Sequence, residues 1–137
     1  MENLYITDYS GSKIALRARV ELYSVTDFMG DELPGLAIVL DMVAAPSEED
    51  EQYAILTKSF GEFIGLKNSA YIDVNNCPFA PQLLEQGIAA DTGFYKDSGF
   101  CRYPLWLFRE ELLKEIGGEN YEKYSQAYDK YMATMCF

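Results

Sequence analysis

Lys13-Ile14-Ala15-Leu16-Arg17-Ala18-Arg19-Val20-Glu21-Leu22-Tyr23 is the stretch whose reading decides the fold. Ile14, Leu16, Ala18, Val20 and Leu22 alternate with Lys13, Ala15, Arg17, Arg19, Glu21 and Tyr23. A period of two sustained over this length describes a strand with one buried face and one wet face. Upstream, Leu4-Tyr5-Ile6 reads as a short strand and Asp8-Tyr9-Ser10-Gly11-Ser12 as a turn, so the two segments predict a hairpin. Downstream, Phe28-Met29-Gly30-Asp31 and Leu33-Pro34-Gly35 predict a longer loop. The unbroken apolar run Leu36 to Leu40 then predicts a strand covered on both faces.

Beyond an acidic loop at residues 46–52, Tyr53 to Thr57 and Ala70 to Val74 supply a fourth and a fifth strand. Phe60, Phe63 and Ile64 recur at helical spacing, in a helix made short and weak by Gly61 and Gly65. Residues 1–74 therefore read mainly as an antiparallel β meander.

The rest of the chain changes character. Pro78 and Pro81 suit a first helical turn, with Leu83 and Leu84 in its body and Gly87 at its end. Thr92 to Phe108, rich in glycine and aromatics, has no clear period. From Leu107 a helix is expected, with Phe108, Leu112, Leu113 and Ile116 on one face. Gly117-Gly118 should stop it, and Asn120 should cap a last helix through about Thr134. The fold class is then α+β: one domain over 1–137, an antiparallel sheet of four to five strands packed by helices, with a C-terminal helical hairpin.

Composition bounds the function. The chain has 137 residues, enough for one domain, and is 49% hydrophobic and 15% aromatic, enough to bury a core. No basic and apolar leader opens the sequence and no apolar run is long enough to span a bilayer, so a cytoplasmic protein is expected. Three cysteines suit a secreted disulfide framework poorly. The net charge is −11, most of it in residues 1–101, which carry 16 acidic against 6 basic residues. Such a charge argues against direct binding to nucleic-acid backbones and to anionic membranes. It fits either plain solubility or an acidic surface that acts as a decoy for a DNA-binding factor.

Histidine is absent, which removes Ser-His-Asp and Cys-His catalysis and every histidine-containing metal site. The cysteines form no CxxC pair and no phosphate-loop pattern occurs, so neither a metal nor a cofactor is expected, and no catalytic residue is assigned. Cys77, just before a helix start, could gain reactivity from the helix dipole, but reads better as a buried structural thiol. Asp73 stands inside the apolar stretch Ala70 to Val74. With Asn75, Asn76, Ser98 and Arg102 it could form one hydrogen-bonded cluster, in which Arg102 is the natural counter-ion for Asp73 or Asp91. Tyr121, Tyr124, Tyr128 and Tyr131, spaced three, four and three apart, make one aromatic seam, suited to packing on the sheet or to an interface.

The set Tyr71-Ile72-Asp73-Val74-Asn75-Asn76-Cys77-Pro78, Leu83-Leu84, Gly87-Ile88-Ala89, Asp91-Thr92-Gly93, Ser98-Gly99-Phe100-Cys101 and Tyr103-Pro104-Leu105 resembles an uncharacterised family. Its members are small accessory proteins on conjugative and integrative elements of Gram-positive gut bacteria. Similar segments also occur as modules in polyvalent proteins of mobile elements. The resemblance implies a mobile-element setting and raises interference with host defence; it brings no catalytic residues. The expected function is a non-enzymatic accessory protein that binds another protein, with a homodimer also open. The alternatives are a small-ligand or enzymatic site at residues 71–105 and a plain structural subunit.

Overall fold

The structure, a computed structural model, describes residues 3–44, 46 and 48–135. The alternating run is the first part of β2, Lys13–Thr26, with Leu16, Ala18 and Val20 buried. β1 (Leu4–Thr7) and β3 (Glu32–Met42) flank it antiparallel. Leu4 stands opposite Leu16, Val20 opposite Ile38 and Ala18 opposite Leu40, so the register matches apolar position to apolar position. β4 (Glu51–Ile55) completes a four-stranded meander in the order β1-β2-β3-β4. All of Leu36 to Leu40 is buried, as a strand covered on both faces requires.

Two expectations fail around β2. Leu33-Pro34-Gly35 is strand, not loop, and only Asp27 to Asp31 makes the turn. Pro34 is tolerated because β4 pairs only with Val39 to Met42, leaving β3 one neighbour at Pro34. Gly35 is needed because a Cβ there would lie 2.8 Å from Val25 Cγ1. The helix expected around Phe60 to Ile64 does not form. That segment runs beside the end of β2, where the Thr26 N–H donates to the Gly61 carbonyl and the Phe63 N–H to the Thr26 carbonyl. Its two phenylalanines leave in different directions, Phe60 toward Tyr71 and Tyr103, Phe63 toward Tyr128 and Tyr131.

Leu56, fully buried, hands the chain from one sheet to the other: its N–H donates to Ile38, and its carbonyl accepts from Asp73. The strand expected over Tyr53 to Thr57 is therefore divided between β4 and β5 (Thr57–Lys58). The second antiparallel sheet has the order β5-β6-β8-β7, with β6 at Ser69–Ile72, β7 at Ala89–Ser98 and β8 at Cys101–Phe108. The glycine-rich stretch without a period is thus mostly a hairpin, turning at Gly99. Between Asp91 and Tyr95 its register shifts, so that Thr92, Gly93 and Phe94 face Leu105 alone.

Helix α1 (Ala80–Glu85) has a proline in its first turn and ends before Gly87, as expected. Helix α2 spans Glu110–Met135 with one break at Gly118, whose φ of 51° and ψ of −130° suit glycine almost alone. This kinked element stands where a helical hairpin was expected. Phe108 belongs to β8, and Asn120 does not cap: its side chain donates to the Val20 carbonyl at 2.9 Å, fastening α2 to β2. The shared core joins Leu16, Ile38 and Leu40 of the first sheet, Ile72 and Trp106 of the second, and Leu113 and Tyr124 of α2. The α+β class stands, with two sheets in place of one. Among the described residues no helix is long and apolar enough to cross a membrane.

Candidate functional site

Residues 71–105 fold as β6, the α1 turn and the β7–β8 hairpin, and the expected polar cluster divides between the two ends of this unit. Asp73 is 9% exposed and accepts from the Asn76 backbone N–H at 3.3 Å and from Asn76 Nδ2 at 2.9 Å. Its own backbone carries the Cys77 N–H at 2.8 Å. This is an aspartate turn that leads the chain from β6 toward α1, with Asn75 exposed beside it. Arg102 joins neither Asp73 nor Asp91. It stands directly across the hairpin from Asp97, and Nε donates to Asp97 Oδ1 at 2.8 Å while Nη2 reaches Oδ2 at 3.3 Å. Their proximity lowers the Asp97 carboxyl pKa and raises that of Arg102. Ser98, one step toward the turn, pairs with Cys101.

The hairpin makes a site that the linear sequence does not display. The Arg102 guanidinium lies 3.7 Å from the Tyr95 ring centroid, a cation–π pair in which Asp97 holds the Nε and Nη2 edge of the guanidinium. Beside it lies an open concavity of about 370 Å³, lined by Val74, Asp91, Gly93, Phe94, Tyr95, Arg102 and Pro104. Phe94 is 69% exposed because the bulge turns it outward. Asp91 Oδ1 accepts from Gly93 N–H, Thr92 Oγ1 accepts from Phe94 N–H, and the Thr92 hydroxyl donates to the Leu105 carbonyl at 2.7 Å. Phe100 projects fully from the hairpin turn. The signals for this arrangement were the Ser98-Gly99 turn dipeptide and the Asp97…Arg102 pair around it.

The Asp73 carboxylate is held by Asn76, Asp97 is held by Arg102, and among the described residues no group of three metal-ligating side chains occurs. Cys77 is fully buried, its thiol donating to the Ile55 carbonyl, and burial, then the Asp73 charge, pushes the thiol up to about 11. The helix dipole does not make it reactive. Between the sheets, next to Tyr71, Tyr124 and Tyr128, the free space is about 30 Å³, room for about one water.

The tyrosine seam is spent inside the molecule. Tyr121, Tyr124 and Tyr128 are buried and Tyr131 is half-buried. The Tyr121 hydroxyl donates to Asn68 Oδ1 at 2.7 Å, the Asn68 N–H donates to the Tyr124 hydroxyl at 2.9 Å, and the Tyr131 hydroxyl donates to Asp27 at 2.8 Å. Phe63 stacks on Tyr128 and tilts against Tyr131. The seam thus locks α2 to both sheets, with Tyr131 alone of the four reaching the surface.

Compared with known protein families, residues 24–128 match a domain of unknown function, DUF4313. No curated protein and no solved structure matches the chain.

Proposed function

Because the chain belongs to the DUF4313 family, whose description carries no activity, we propose a function from its own surface: a non-enzymatic domain that docks another protein on its β7–β8 hairpin. The observation that carries this reading is the Tyr95–Arg102 pair, held by Asp97 beside the outward-turned Phe94. Tyrosine and arginine dominate the energy of protein interfaces. An arginine already held over a ring and paired loses little side-chain freedom on docking, which favours affinity. With a net charge of −11, the partner's matching surface is basic. The resemblance of residues 71–105 supports the setting: a cytoplasmic accessory protein of a mobile element, acting against a host factor. A second copy of the chain fits this reading less well, because two copies would each bring negative charge.

A decoy that imitates DNA has weaker support. It needs free carboxylates at phosphate-like intervals of about 1.7 Å along a duplex axis. Asp8 and Asp27 are engaged by turn amides, while Glu21 and Asp41 pair with Arg19 and Glu62 pairs with Lys96.

The test is capture from extracts of the native host by wild type and by the double variant Phe94→Ser/Arg102→Gln, both shown to melt alike. A discrete protein should be held by wild type, released by moderate salt, lost with the double variant, and bound again when purified. Retention of the same proteins by both forms would refute the hairpin reading.

A further inference from the structure

The turn between β2 and β3, the segment beside Thr26 and the last turns of α2 meet around a second open groove of about 480 Å³. Thr26, Asp27, Phe28, Glu62, Phe63 and Tyr131 line it. The volume lies in the range of ligand-binding clefts, roughly 300–1,000 Å³. Three of the six lining residues are aromatic, two are acidic and none is basic. Phe63 is fixed between Tyr128, 5.4 Å away centroid to centroid, and Tyr131, 4.7 Å away. Phe28 is 85% exposed and stands at the rim.

Asp27 is held in place but not neutralised. Its Oδ1 accepts from the Met29 and Asp31 N–H groups, both at 2.9 Å, and its Oδ2 accepts from the Tyr131 hydroxyl at 2.8 Å. The donors that surround this carboxylate, backbone amides and a hydroxyl, are all uncharged, so its negative charge is uncompensated. Partial desolvation opposes the charge, but these hydrogen bonds outweigh it and keep the carboxyl below its ordinary value. Glu62 already meets Lys96 at 2.5 Å, yet its side chain is 63% exposed and can take a second cation.

We infer that this groove receives the side chain of an arginine presented by a protein partner. A cation over aromatic faces and beside carboxylates is attracted by both. A guanidinium fits better than an ammonium, because its plane stacks on a ring while its edge offers paired N–H donors to carboxylates. The net charge of −11 favours the approach of such a group. The inference rests on the reading that the partner is a protein, but the groove shares no lining residue with the Tyr95–Arg102 face of the hairpin and meets β7 through the Glu62–Lys96 pair.

The experiment is an NMR titration of the isotope-labelled chain with acetyl-Gly-Arg-Gly-amide, with the citrulline and lysine versions as controls. Arginine should give saturable shifts confined to Thr26, Asp27, Phe28, Glu62, Phe63 and Tyr131. The citrulline peptide should bind about tenfold more weakly, or not at all, and the lysine peptide several-fold more weakly. Phe28→Ser and Glu62→Gln should each weaken arginine binding about three- to tenfold without moving the thermal melt. Shifts spread over acidic residues generally, an equal response to citrulline or lysine, or no change in the two variants would each overturn the inference. The Phe94→Ser/Arg102→Gln variant should titrate like wild type, so failure of the hairpin reading and failure of the groove are separate results.

Discussion

Gln86 and Tyr5 exchange two hydrogen bonds: the Tyr5 N–H donates to Gln86 Oε1 at 2.9 Å, and Gln86 Nε2 donates to the Tyr5 carbonyl at 2.6 Å. One helical turn earlier Gln82 does the same for Thr7, at 2.7 and 3.0 Å. β1 is the edge of the first sheet, and its outward backbone groups would otherwise offer a template for another strand. Two glutamine amides, Gln82 on α1 and Gln86 just past its C-terminal end, pair with that edge as a neighbouring strand would. In sequence, nothing distinguishes Gln82 and Gln86, and only the placement of α1 against β1 gives them this role.

Gln82→Ala/Gln86→Ala should therefore act in two ways. Four hydrogen bonds at an exposed edge are lost, so urea denaturation should show a destabilisation of about 1–3 kcal/mol. The freed edge should also raise self-association with concentration, read by sedimentation velocity against wild type. Unchanged stability together with unchanged sedimentation would show that the edge needs no cover.

Asp73→Ala should cost about 1–3 kcal/mol, because it leaves Asn76 without its acceptor at a nearly buried turn. Asp73→Asn should cost less, since its amide oxygen can still accept from Asn76 Nδ2. Chemical denaturation decides this. Wild-type stability in Asp73→Ala combined with loss of partner capture would make Asp73 part of a binding site and not a structural turn.

Gly118→Ala should destabilise by about 1–3 kcal/mol, since its φ of 51° and ψ of −130° strain any side chain. Gly117→Ala should also destabilise for a different reason: its Cβ would lie 2.4 Å from Tyr121 Cβ and 3.1 Å from Val20 Cγ2. Thermal melts of the two variants check both. If either melts like wild type, the kink is not what seats the tyrosines.

Cys77 makes stability depend on pH. Its folded-state pKa of about 11 lies above the ordinary thiol value, so the unfolded chain ionises first. Its contribution is intact below about pH 8.5 and is lost as pH rises toward 11. Burial also raises the hydroxyls of Tyr121, Tyr124 and Tyr128, whose losses begin near pH 10, the ordinary tyrosine value, and are common to wild type and a Cys77 variant. Urea curves for wild type and Cys77→Ala should differ at pH 7.5 and converge by about 1–2 kcal/mol at pH 10.5. Parallel pH dependences would contradict the assignment.

The parts of the fold that were legible from sequence obey a single period or a single stop signal. β2 shows its buried face through Leu16, Ala18 and Val20, and α1 shows its proline start and glycine end. The pattern slips at Val25, which is buried on the other face because the chain around Gly61 to Phe63 returns to cover it, a contact remote in sequence. β7 stayed hidden because the bulge sets Thr92, Gly93 and Phe94 against Leu105 and destroys alternation. The candidate site followed the same rule. Asp73 and Asn76, three apart, do bond to each other. Arg102 takes Asp97 as its partner because hairpin register, not chain proximity to an apolar stretch, sets the pair.

The hairpin as docking surface is tested most directly by placing a photo-crosslinking amino acid at position 94 or 100 and irradiating cells of the native host. Tyr9, equally exposed on the β1–β2 turn, serves as the control position. The account predicts a discrete adduct with one protein from positions 94 and 100, reduced by Arg102→Gln and absent from position 9. No discrete adduct from the hairpin, or the same adducts from position 9, would contradict it.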